Sequence, residues 1–244
     1  MTLRREKAPD VVLVHAGGFD GRMWRPLADR LDTRFRLHMP DLRGHGGTPL
    51  PPGDYSHVED LVRMLDGLRI KRAVFVGASF GGWVALQLAT AAPERVTALA
   101  LLAATLADSE EWSAEFDAFA AQEDALLEAG DIEGAVALNV RTWVRDPAIA
   151  ELVAEMSRTA FEHQVGVDAP LREEPVDLGA IAVPTLAVSG GLDFPDFARF
   201  ADQIAAEVPD AERATVEDAG HLIALERPDA AAALLGPFLE RVSA

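Results

Sequence analysis

Six short apolar runs, at 11–14, 35–39, 73–76, 96–102, 185–188 and 211–216, alternate along the chain with helix-length segments. Most of these runs are continuous rather than period-two, the pattern of parallel strands buried on both faces by flanking helices. The intervening segments, 23–31, 58–68, 80–91, 195–207 and 228–242, carry helical spacing. Such alternation restricts a chain to a doubly wound α/β sheet with right-handed crossovers. The expected fold is therefore α/β, with a mostly parallel six-stranded sheet whose ligands bind beyond the carboxyl ends of its strands.

The alternation breaks once, between the fourth and fifth strands. There Trp112, Phe116, Phe119 and Leu126 recur at helical spacing up to Gly130, a helix stop. A second helix is expected over 132–144, with Ala135, Val136, Asn139 and Trp143 on one side, and Asp146 and Pro147 open a third as N-cap and first-turn proline. The three helices predict a cap over the ligand edge of the sheet. Residues 1–105 and 181–244 then form the core and 106–180 the cap.

With 49% hydrophobic residues among 244, the chain has apolar material for one large core. It has no cysteine, and its six histidines are scattered without a His-x-x-x-His pair, so no disulfide, thiolate nucleophile or metal site is expected. The longest apolar run, about 98–107, is too short to span a membrane, and the start lacks a signal-peptide core, which points to the cytoplasm. A formal charge of −18 opposes nucleic acid and anionic membrane surfaces as partners. Most of that charge lies in 106–180, which holds 18 acidic and 4 basic residues.

The most specific local signal is Gly77-Ala78-Ser79-Phe80-Gly81-Gly82, between the apolar strand 73–76 and an Ala/Leu-rich helix. This is Gly-x-Ser-x-Gly in the strand-turn-helix setting a nucleophilic serine requires: small residues let strand and helix approach, and the turn holds the hydroxyl in strained geometry. A glycine turn without chemistry is the plainer reading. A serine hydroxyl needs a general base, itself oriented by a carboxylate. Asp193 comes after the fifth strand and His221 after the sixth, in the chain order Ser, Asp, His that this architecture demands. Asp108, after the fourth strand, and Asp196 are rival acids; Asp108 with Glu111 three residues on also reads as a helix N-cap. The segment 77–82 lacks the Gly-x-Gly-x-x-Gly spacing and no Walker lysine comes after it, so no nucleotide and no cofactor is expected.

On these residues the chain resembles the α/β-hydrolase superfamily over nearly its whole length. His15-Ala16-Gly17-Gly18 is similar to the family's His-Gly oxyanion turn, and Asp41-Leu42-Arg43-Gly44-His45-Gly46 to its Asp-x-x-Gly-x-Gly loop. Val183-Pro184-Thr185 and Gly220-His221-Leu222 through Glu226-Arg227-Pro228 extend the match. The resemblance implies an oxyanion hole formed by the backbone N–H groups of Phe80 and Gly17, with Gly18 the alternative. It also implies a sheet without the family's usual first strand pair, since only ten residues precede Val11, and Ala16 stands where the family has glycine. Relatives with an aspartate nucleophile, or with a lysine near the site, do not match Ser79 and a chain whose last lysine is Lys71. Relatives that cleave carrier-protein esters dock an acidic partner on a basic cap, opposite in sign to this one.

Candidate substrate contacts are Gly18, Trp112, Phe116, Trp143, Phe194 and Leu222. Trp112, Phe116, Phe119, Trp143 and Phe161 form either a pocket wall or ordinary helix packing. His15 reads as a support for the oxyanion loop, His45 either as a lining residue of the site or as an ordinary turn residue, His38 as a strand residue, His57 as the start of a helix, and His163 as a surface residue with substrate contact the alternative. The expected function is a cofactor-independent serine hydrolase acting on a small neutral or cationic ester or lactone through an acyl-enzyme, as monomer or homodimer. The alternatives are a carbon–carbon hydrolase or lyase using the same three residues, and a non-catalytic ligand-binding protein on the same fold.

Overall fold

Six strands, β1 (Asp10–Val14), β2 (Arg36–His38), β3 (Ala73–Ala78), β4 (Val96–Leu102), β5 (Thr185–Gly190) and β6 (Ala211–Val216), form one sheet in the order β2-β1-β3-β4-β5-β6. Every pairing is parallel. They come from a computed structural model that describes residues 8–31, 35–107 and 111–243. The α/β sheet expected from the alternation is thus present, with strand positions within about two residues. β3 and β5 are buried along their whole length, whereas the edge strands β2 and β6 are partly exposed and carry Arg36, Glu212 and Arg213. Charged edge positions discourage further strand pairing.

The helices are α1 (Arg25–Ala28), α2 (His57–Gly67), α3 (Phe80–Ala91), α4 (Ala114–Glu128), α5 (Ile132–Trp143), α6 (Ala150–Gln164), α7 (Pro195–Glu207), α8 (Ile223–Glu226) and α9 (Pro228–Val242). The helix expected over 23–31 is instead a 3-10 turn, Gly21–Trp24, followed by the single turn α1. Pro26 has no N–H with which to bond the carbonyl of Arg22, and that carbonyl instead accepts the N–H of Arg25 in a 3-10 bond, so the first turn winds more tightly before α1 begins at Arg25. Among the described residues, no helix is long and apolar enough to cross a membrane.

Helices α4, α5 and α6 lie between β4 and β5 in the chain. Ser113 caps α4 through its hydroxyl to the N–H of Phe116 (3.2 Å), Asp131 caps α5 at Gly134 (2.9 Å), and Asp146 opens the turn before α6 at Ala148 (3.0 Å). The capping role considered for Asp108 lies outside the described residues. Buried Ala135, Val136 and Phe161 give these helices a small core of their own. Gln164 at the end of α6 donates to the carbonyl of Gly44 (3.0 Å), and Glu173 accepts from the indole of Trp83 (2.7 Å), fastening the layer to the sheet side.

Candidate active site

Ser79 sits between β3 and α3 with φ 49° and ψ −119°, a backbone geometry unusual for a residue with a side chain. Such strain costs of order 1–3 kcal/mol and persists only where the surroundings enforce it. Here they do. Its N–H donates to Leu102 (3.0 Å) and its carbonyl accepts from Gly82 (2.8 Å) and Thr105 (3.2 Å), while Thr105 Oγ1 lies 3.4 Å from its hydroxyl. Glycine is required on either side. A Cβ on Gly77 would lie 2.4 Å from the carbonyl of Gly81, and one on Gly81 only 2.2 Å from that of Val14.

The loops after β5 and β6 touch backbone to backbone. A Cβ on Gly190 would lie 2.1 Å from the Gly220 carbonyl, and Leu192 N–H donates to Ala219 (2.9 Å). That contact brings Asp193 and His221 together across 28 positions: Nδ1 of His221 lies 2.8 Å from Oδ2 of Asp193, both side chains nearly fully buried. The other carboxylate oxygen of Asp193 accepts the N–H of Phe194 (2.8 Å). Trp143 and Phe197 enclose the imidazole, with ring centroids 4.4 and 4.3 Å away.

Asp196 is engaged elsewhere. It is buried and accepts both the N–H (2.8 Å) and the hydroxyl (2.6 Å) of Ser113, joining the start of α4 to α7. Burial alone would push its pKa up, but the bonds from Ser113 and Arg199 outweigh that and hold it below the ordinary carboxylate value. Asp108 lies outside the described residues.

Ser79 and His221 line one cavity of about 370 Å³, together with Gly17, Gly18, Phe19 and Phe80 from the sheet side. Helices α4–α6 close it with Phe119, Glu123, Asp124, Leu127, Asn139, Trp143, Phe161 and Gln164. A Cβ built on Gly17 would stand 3.5 Å from that of Phe80, so the two backbones are adjacent. The Gly18 N–H donates to His45 Nε2 (3.3 Å), whereas among the described residues no acceptor pairs with the N–H of Gly17 or Phe80. Two N–H groups are thus free beside the serine.

Of the expected substrate contacts, Gly18 and Trp143 line this cavity; Trp112, Phe116, Phe194 and Leu222 do not. Trp112 stacks on Phe116 (4.0 Å) and packs edge-on against Phe200 (4.9 Å). Phe194 bridges Phe116 (5.8 Å) and Trp143 (5.4 Å), and Leu222 is buried. One helical stripe therefore divides: its start packs on α7 and its continuation, Phe119, reaches the cavity. Glu123, Asp124, Asn139, Gln164 and Thr105 carry no sequence signal that marks them as site residues. Their polar side chains on or beside amphipathic helices look like ordinary surface until the chain is folded.

Three buried histidines lie beside the site: His15 and His45 hydrogen-bond the neighbouring loops, and His57 packs edge-on against Tyr55 and Phe80. His15 accepts the Leu42 N–H at Nε2 (2.9 Å) and donates from Nδ1 to its neighbour's carbonyl (2.8 Å), so neither nitrogen is available for proton transfer. Burial lowers the pKa of His15 to about 4, of His45 to about 3 and of His57 to about 4. The unfolded chain binds these protons near pH 6.5, so the stability held above pH 6.5 is lost as pH falls toward 4, by roughly 1 kcal/mol per pH unit per ring. Urea midpoints measured from pH 7.5 to 4.5 should fall steeply below pH 6.5; a flat profile would refute neutral burial of these rings.

The alpha/beta hydrolase family model matches residues 11–234. The pimeloyl-[acyl-carrier protein] methyl ester esterase of Pectobacterium atrosepticum is 29% identical over 245 positions, covering 91% of this chain and 90% of that protein. The enzyme of the same name from Vibrio campbellii is 37% identical over 112 residues, 45% of this chain and 41% of the relative, so that match spans about two fifths of the relative's length. A hydrolase structure from Pseudomonas aeruginosa PA01 superposes with TM-score 0.78 at 28% identity, over 95% of this chain and 89% of that one. With the sheet order, the strained serine turn and this near-complete coverage in agreement, the chain belongs to the alpha/beta hydrolase family.

Proposed function

We propose that the protein is a serine hydrolase that cleaves a small ester or lactone through an acyl-enzyme. The observation that carries this reading is that a serine held at positive φ and an Asp193-bonded His221 line the same cavity. His221 takes the Ser79 proton as the hydroxyl attacks the acyl carbonyl, while Asp193 holds the imidazole proton on Nδ1 and stabilises the imidazolium. The Gly17 and Phe80 N–H groups receive the developing oxyanion, each contributing about 3 kcal/mol if they match side-chain donors elsewhere. His221 then protonates the leaving alcohol and activates the water that releases the acid. Residues 106–180 act as the cap, with 1–105 and 181–244 as the core. Assays on nitrophenyl esters of increasing acyl length test the reading: hydrolysis to free acid and alcohol supports it. Cleavage that yields a fragment without an acyl oxygen would replace it with carbon–carbon chemistry.

The cavity also suggests a charge preference. Its acidic lining residues are Glu123 and Asp124, and among the described residues no lysine or arginine lines it. Asn139 fixes one oxygen of Glu123 at 2.5 Å, and burial raises its pKa. The relatives' names specify carrier-bound esters, but an acidic cap repels an acidic carrier, so a free neutral or cationic ester fits better. Esters with an ammonium-tipped acyl chain should exceed carboxylate-tipped ones in kcat/KM by about tenfold or more, and Glu123→Gln should narrow that ratio. An unchanged ratio in the variant would remove Glu123 from substrate selection.

A further inference from the structure

Glu226, on α8, is a buried carboxylate with no part in the proposed chemistry. It is 5% exposed, and its two oxygens are divided between separate parts of the fold. Oε2 accepts the N–H of Gly220, the residue before His221 (2.9 Å), while Oε1 accepts the N–H of Arg145, just past the end of α5 (2.7 Å). Arg145 in turn donates from its guanidinium to the carbonyl of Leu192, the residue before Asp193 (3.3 Å). A Cβ on Gly220 would lie 2.9 Å from Arg145 Cγ, so this glycine also makes room for the arginine. Two residues back, Trp143 lies against the His221 ring, its indole N–H fixed by Asn139 (3.0 Å). The exit of α5 therefore touches the His221 loop, the imidazole itself and the Asp193 loop.

We propose that Glu226 and Arg145 form a joint through which the position of α5 sets the alignment of Asp193 and His221. Glu226 is a positioning residue: it acts on the histidine through Gly220 and lines no part of the cavity. A buried carboxylate demands strong donors. Here those donors are main-chain N–H groups on two segments that must keep a fixed distance for the imidazole to stay in place. A misplacement of about 1 Å between reacting groups costs on the order of 100-fold in rate. The inference rests on the triad reading above, and its test separates the two.

The test uses Glu226→Gln, Arg145→Ala and the double variant of the full chain, each checked for folding by thermal unfolding. The amide of Glu226→Gln can satisfy only one of the two N–H donors. Arg145 is exposed, so its truncation leaves the core intact and serves if the glutamine variant does not fold. Two readouts are taken: kcat and KM on nitrophenyl acetate, and by NMR the solvent exchange of the His221 Nδ1 proton, which needs no substrate. The expected result for Glu226→Gln is a kcat about 10- to 100-fold lower, with KM within about twofold and Nδ1 exchange at least about tenfold faster. Arg145→Ala should lose about threefold or more in kcat. The double variant should lose less than the product of the two, as residues acting as one unit do. Folded variants with wild-type kcat and wild-type proton exchange would overturn the joint, as would an effect confined to KM or strictly multiplicative losses. If the wild type turns over no ester yet the variants still loosen the Nδ1 proton, the joint stands and the hydrolase reading falls.

Discussion

Replacing Ser79 by alanine will lower ester turnover by at least about 10⁴-fold and abolish labelling by a fluorophosphonate probe, while the protein unfolds at nearly the same temperature. Alanine keeps the Cβ that the turn already accommodates at φ 49°, so the strain is unchanged and only the hydroxyl is lost. Its neighbour Thr105, 3.4 Å from that hydroxyl, has no imidazole bonded to it among the described residues and cannot take over as nucleophile. Residual catalysis would come from the free N–H groups of Gly17 and Phe80 and from binding alone. The measurement is turnover and labelling side by side in both proteins. Equal activity in the alanine variant would sink the assignment, and no labelling of a folded wild type would favour a ligand-binding role for the cavity.

The second large effect is expected from Asp193→Asn, about 10⁴-fold in kcat with little change in KM. The buried carboxylate accepts two N–H groups, from His221 and from Phe194. An asparagine can present its NH2 to His221 and thereby place the imidazole proton on the nitrogen that must act as base. The matched control is Asp196→Asn. That carboxylate holds Ser113 rather than a histidine, so its loss should lower stability at the α4–α7 contact and leave kcat within severalfold. If the two variants exchanged these behaviours, Asp196 and not Asp193 would be the orienting acid.

Much of this architecture is local and therefore legible. Strands β3 and β5 announce themselves as continuous apolar runs because both faces are covered, and Gly77 and Gly81 bracket Ser79 because a side chain there would collide with backbone. Asp193 and His221 can be picked as the candidate acid and base because each lies in the loop after a strand, and parallel strands deliver those loops to one edge. The α1 region reads as a full helix and is not one, since apolar spacing does not register that Pro26 interrupts the hydrogen-bond ladder.

The sequence by itself determined the alternation of strands and helices, the sharp turn at Ser79 and the excess of negative charge over 106–180, all set by neighbours within a few positions. Tertiary structure alone decided which side chains share the cavity. Apolar spacing states that Trp112, Phe116, Phe119 and Trp143 face inward, but not against what; folding sends the first two toward α7 and the others to the cavity. Likewise Glu226 meets Arg145 from 81 positions away, and Gly18 meets His45 from 27. Hydrogen bonds at such separations depend on how helices pack and where loops close. No local pattern of residues encodes that distance.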